Sequence, residues 1–254
     1  MSDFLGQPRS VVVRETPPNP ELLSALGRLV RGLSLLFWFL PTALVVCTMT
    51  ALGEWFRQLG ILPALVATAV IWYGLNLLGH FQKQERPWTL ALDRARLLAL
   101  VNFGLSPFVY WWSRLPSHQF LTAVVQTLVF TGLLFLICLN PLLARLAAML
   151  PDETLRHETR LFTALNRTLL SVILAGLTAY ALVIRIDPAF PERFFGWVLR
   201  VVPLAQEAVP LLSILDRGRV QFCILLVLFP VAMTMALIWK IKEVILASVF
   251  GPEH

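Results

Sequence analysis

Charge is what this chain has least of. Only 14% of its 254 residues are Asp, Glu, Lys or Arg, while 57% are apolar; soluble domains carry about 25% charged residues. The deficit excludes an ordinary soluble globule, which needs far more polar surface. Cysteine is scarce as well: Cys47, Cys138 and Cys223 each sit inside an apolar run, without CxxC spacing. That excludes a disulfide framework or a zinc ribbon, and the three thiols read as small buried apolar groups.

Reactive motifs are also missing. His157 and Glu158 are adjacent, but Leu161 stands where HExxH requires its second histidine, so the zinc-protease reading fails. Glu153 and His157, four apart, read as one solvated helix face with Arg156 and Arg160 rather than as a metal pair. There is no GxSxG and no glycine-rich phosphate loop, which lowers the hydrolase and ATPase readings. No cofactor and no metal is expected. Carboxylates and lysines are absent from the middles of the apolar runs, where ion-coupled pumps usually need an ionisable group.

What is present is a series of runs near the length that crosses about 30 Å of hydrocarbon. They cover residues 32–52, 61–79, 97–112, 120–143, 169–184 and 220–239. The chain is expected to be an all-α, polytopic integral membrane helix bundle. Six transmembrane helices are favoured; five plus a re-entrant segment is the alternative, because residues 97–112 are short and interrupted by Gly104 and Pro107. Tyr110, Trp111 and Trp112 end that run opposite Arg94 and Arg96, as a spanning helix requires.

Residues 1–31 read as a tail that includes the start of the first helix, with Asn19 as N-cap and Pro20 at its first position. Residues 32–250 form a single transmembrane domain, and 251–254 its end. Residues 187–219 mix Phe190, Phe194, Phe195 and Trp197 with Glu192, Arg193 and Arg200. This composition predicts an amphipathic helix lying in the membrane interface. A second apolar stretch, residues 244–250, is expected to prolong the last helix along the membrane surface.

The formal net charge of +6 is distributed rather than clustered, which speaks against a nucleic-acid patch. With six spans and a cytoplasmic N-terminus, fourteen of the 21 Lys and Arg fall inside and seven outside, following the positive-inside rule. The five-span alternative gives the same split, so charge does not choose the span number. Both termini are placed in the cytoplasm of a bacterial inner membrane, and the expected partner is a bilayer with anionic headgroups.

The polar residues of the runs are the candidate functional positions. Asn76, Asn102 and Asn140 lie near basic segments, at a shared depth by residue counting, and with His80 near the end of the second run could form a vestibule or serve as helix-to-helix hydrogen bonds. Gln119, Thr122 and Gln126 recur on one helical face, which is expected to turn away from lipid. Ser171, Ala175 and Ala179 repeat at four-residue steps, the pattern that lets helices approach closely. They mark a contact inside the chain or between copies, so a homo-oligomer or another membrane protein is an expected partner. The first functional reading is a non-enzymatic membrane subunit or scaffold. The alternatives are a small permease for a neutral or amphiphilic solute, and an interfacial lipid-modifying enzyme using His80 as base.

Overall fold

The computed structural model describes residues 20–52, 58–79, 81, 85–149, 153–187 and 209–250. Every regular element among them is helical: α1 (Pro20–Leu52), α2 (Leu62–Leu78), α3 (Arg86–Leu105), α4 (Pro107–Arg114), α5 (Gln119–Ala148), α6 (Glu153–Ile186) and α7 (Val209–Phe250). Three helical segments, Ser24–Leu52, Gln119–Ala148 and Arg156–Ile186, are long and apolar enough to cross a membrane.

Proline punctuates these helices in two ways. Pro63, Pro87 and Pro107 stand at the first or second position of α2, α3 and α4, where the missing N–H costs nothing. Pro41, Pro141 and Pro230 lie inside α1, α5 and α7, where each removes one backbone hydrogen bond. The turn before α2 carries Gly60 at φ 62°, a left-handed conformation that favours glycine.

Contacts between helices fix their directions. Gly32 of α1 faces Gly74 of α2, so closely that a Cβ on Gly32 would lie 2.8 Å from the Gly74 carbonyl. Arg96 of α3 reaches the Leu75 and Asn76 carbonyls, while Ser106 meets Thr68, so α2 and α3 are antiparallel. Asn102 pairs with Thr131 and Pro87 with Arg145, setting α3 against α5. Asn140 and Arg156 do the same for α5 and α6, and the Glu158–Lys240 and Asn166–Thr234 pairs for α6 and α7. With α3 and α4 taken as one unit, consecutive helices therefore run in alternating directions.

The third pass differs from its sequence expectation. Its helix begins at Arg86 rather than Leu97, inside the charged segment, because Pro87 starts it. At the Gly104/Pro107 interruption the chain keeps its direction: Ser106 has helical dihedrals and its N–H still reaches the Asn102 carbonyl at 2.9 Å. The final helix differs too. Residues 209–219, assigned above to an interfacial helix, belong to α7; residues 188–208 lie outside the described residues. Residues 244–250 continue α7 as expected, but Ile245 is buried beside Ile241 in the bundle instead of lying along its surface.

The helices bring basic side chains to one end of the bundle. Arg28 and Arg31 of α1, Arg86, Arg94 and Arg96 of α3, Arg145 of α5, Arg156 and Arg160 of α6, and Lys240 and Lys242 of α7 all lie toward it. Arg114 and Arg185 lie toward the other end. The half nearer the basic end is packed solid by Leu33, Leu36, Leu75, Leu92, Leu139 and Ile241. On α6 no described residue beyond Ile173 is buried.

Candidate functional site

Two features stand out from ordinary leucine packing: a buried polar cluster in the basic half, and an apolar cavity in the opposite half.

The cluster joins α5, α6 and α7. Asn166 on α6 is 1% exposed, and its amide Nδ2 lies 3.0 Å from Asn140 Oδ1, 2.9 Å from Thr234 Oγ1 and 3.2 Å from the Pro230 carbonyl oxygen. Asn140 Nδ2 donates to the Leu136 carbonyl of its own helix at 2.8 Å. The Thr234 hydroxyl donates to the Pro230 carbonyl at 2.9 Å. Asn166 Oδ1 is left without a partner, as are the buried hydroxyls of Thr159 and Thr163 on the same face of α6. Toward the basic end, Glu158 and Lys240 form a half-exposed ion pair, about 12 Å along the helix axis from Asn166.

The described side chains of the cluster are amides and hydroxyls, with no carboxylate, imidazole or thiol among them. Asparagine and threonine orient one another by hydrogen bonds, and in hydrocarbon such bonds hold helices in register. Among the described residues no group of three His, Cys, Asp or Glu is placed to hold a metal ion.

The cavity has a volume of about 440 Å³ and lies between α1, α2, α3, α4, α5 and α7. It is half open, its wall is almost wholly apolar, and most of the polar side-chain atoms on it have partners in the protein. Thr48 donates to the Leu44 carbonyl, Thr68 shares hydrogen bonds with Ala64 and Ser106, Asn102 accepts from Thr131, and the Trp112 indole donates to Thr122.

The structure separates the asparagines that residue counting placed at one depth. Asn140 belongs to the buried cluster. Asn102 Oδ1 accepts from Thr131 at 2.6 Å, and Thr131 lies nine residues along α5 from Asn140, about 13 Å farther from the basic end. Asn76 contributes its backbone carbonyl to Arg96, 3.3 Å away. The three therefore serve three helix junctions rather than one vestibule. The depth estimate failed because α3 starts eleven residues before the apolar run, which pushes Asn102 deeper.

Gln126 corrects a second expectation. It is exposed, as is Gln119, and only Thr122 of that face turns inward. The inward stripe of α5 follows Leu121, Val125 and Leu128 instead, and Gln126 lies about 100° from Val125 around the helix. Ser171, Ala175 and Ala179 are likewise exposed. They make no contact face inside the chain, because α6 packs through Thr159, Thr163, Asn166, Leu170 and Ile173. His80 lies outside the described residues.

Sequence reasoning passed over Asn166, Thr234, Thr159 and Thr163. A signal existed: Thr159, Thr163 and Asn166 share one helical face by their spacing. Arg160 and Arg167, interleaved with them, made that stretch look solvated. No protein-family model, no curated protein and no solved structure matches the chain.

Proposed function

We propose that this chain is a non-enzymatic membrane subunit, a helical scaffold crossing a bacterial inner membrane six times with both termini in the cytoplasm. The reading is carried by one observation: Asn102, Asn140, Asn166 and Thr234 each make a side-chain bond to a neighbouring helix, the use expected of packing groups. Alternating helix directions favour six passes, and the concentration of basic residues at one end favours a cytoplasmic position for that end. There, Arg28 and Arg31 flank a surface groove formed with Ser34, Trp38 and Tyr73, in keeping with an anionic lipid partner. The exposed Ser171, Ala175 and Ala179 stripe on α6 offers a second membrane helix, from another copy or another subunit, a close approach.

The test substitutes Asn102, Asn140 and Asn166 by alanine and compares detergent-resistant assembly with stability. Scaffold behaviour means that assembly or unfolding free energy falls in step with the hydrogen bonds removed. Variants that stay fully assembled and stable while losing a measurable activity of the membrane would sink the reading.

A further inference from the structure

The cavity in the less basic half is built for a guest that water cannot replace. Water is held in a buried space by two to four polar partners. Here the Thr48 and Thr68 hydroxyls, the Trp112 indole and the Asn102 amide oxygen already have theirs inside the protein. The remaining wall is aliphatic and aromatic. Left empty, so large a space deprives its lining of dispersion contacts.

Size and shape narrow the guest. At about 440 Å³ the cavity is about three times as large as an engineered apolar cavity of roughly 150 Å³ that takes one benzene, which allows about 16 to 18 carbons. It is elongated, following α1 from Leu40 to Leu52 and α5 from Val125 to Leu136, about 17 Å of helix in each case. That length is close to the depth of one leaflet, half of about 30 Å. The inner end is closed by buried Leu40, Ala43 and Leu136, while Leu52 and Val129 on its wall are exposed. A molecule entering along those exposed residues would place its tail in the bundle and its polar end at the interface away from the basic side.

We propose that this cavity is a binding site for one unbranched hydrocarbon chain, the tail of an amphiphile residing in the leaflet opposite the basic end. The site is independent of the scaffold reading. A scaffold with a bound lipid tail remains a scaffold, and loss of either property leaves the other standing.

Gly132 supplies the test. It lines the cavity, and a Cβ built there meets nothing within 4 Å, so Gly132→Leu projects a side chain into the empty space. Gly176→Leu is the control, since Gly176 on α6 is equally unobstructed and lies outside the cavity. Both replace a helical glycine and gain the same intrinsic helix propensity.

The full-length protein is reconstituted in vesicles of phosphatidylcholine and phosphatidylglycerol. These contain either a free fatty acid with a diazirine near its methyl end, or a phosphatidylcholine bearing the same chain. After illumination, labelled residues are located by peptide mass spectrometry. Saturable labelling of the buried end, at Leu40, Ala43 or Leu136, is expected to fall at least about tenfold in Gly132→Leu and to persist in Gly176→Leu. Labelling by the free acid alone identifies a fatty acid-like guest, and labelling by both probes identifies recognition of the chain whatever its head. Adducts confined to lipid-facing residues such as Val172 and Leu182, with either probe, overturn the proposal in the wild-type protein without reference to any variant. Undiminished labelling in Gly132→Leu overturns it as well.

Discussion

Removing either asparagine of the buried cluster should destabilise the bundle, but by unequal amounts, and the inequality follows from counting donors and acceptors. Asn166 Nδ2 carries two hydrogens and has three acceptors within 3.2 Å. In Asn140→Ala, both hydrogens keep an acceptor in Thr234 and Pro230, so the loss between helices is the bond from Asn166 and the long 3.5 Å contact from Asn140 Nδ2 to Thr234 Oγ1, with a little packing, about 1 kcal/mol. Asn166→Ala removes all the α6 contributions at once. It leaves Asn140 Oδ1 buried without a donor, a desolvation penalty of about 1–3 kcal/mol that removal of the unpartnered Asn166 Oδ1 partly offsets, for a total of about 2–3 kcal/mol. The double variant should cost less than the sum of the singles by about 0.6–1.7 kcal/mol, the range measured for hydrogen bonds between membrane helices. Equilibrium unfolding in mixed micelles, or steric trapping in bicelles, reads these free energies directly. Equal costs for the two single variants, or additive behaviour in the double, would show that the cluster does not hold α5, α6 and α7 together as argued.

Other junctions make sharper qualitative predictions. Gly32→Ala should pry α1 from α2, because its Cβ would meet the Gly74 carbonyl at 2.8 Å; a cost of about 1–3 kcal/mol in the same unfolding assay is expected. Gly79→Ala and Arg96→Gln should be nearly as costly alone as together, since a side chain at Gly79 collides with the Arg96 guanidinium and displaces it from the α2 carbonyls; additive losses in a double-mutant cycle would contradict this. Reversing the ion pair by Glu158→Lys with Lys240→Glu should restore what either single change loses, with each step at or below about 1 kcal/mol and fading in high salt, because both side chains are half exposed. Arg28→Gln with Arg31→Gln should lower retention of phosphatidylglycerol in native mass spectra by about 1 kcal/mol per arginine, and retention of phosphatidylcholine by much less.

The helices were largely legible in the sequence because apolar run length and proline position are local signals. Pro20 and Pro63 mark helix starts, and residues 120–143 had to be helical to satisfy their backbone in hydrocarbon. Boundaries were illegible where charge and helix coincide. Arg86 to Arg96 read as a loop because four charged side chains fall there, yet in α3 they form helical turns whose Arg96 reaches across to α2. That reach meets the end of α2, where the last turn has few backbone donors of its own. Arg96 adds donors to the Leu75 and Asn76 carbonyls there, beside the Gly79 N–H that already reaches Asn76 at 3.2 Å.

The polar cluster escaped for the converse reason: Asn166 and Thr234 are single residues whose importance comes from each other, 68 positions apart. Hydropathy sees only a slightly less apolar turn in each helix. A cavity is harder still to read, since it is defined by what the side chains of several helices fail to fill, and no window along one chain contains that information. What the sequence does register is its boundary condition. Gly132, Ala43 and Ala99 are small residues lining the cavity, each next to a leucine in the chain, and where three helices place small residues toward the same space, either the helices close up or something else must occupy it. α1 and α2 close up at Gly32 and Gly74. Farther from the basic end, residues of α1 and α2 line the cavity instead, together with Gly132, Phe135 and Leu136 of α5, while the Ser106–Thr68 bond at 3.1 Å ties α2 to the α3/α4 junction beside it. An apolar space that the helices do not close is the reason to look there for a bound chain.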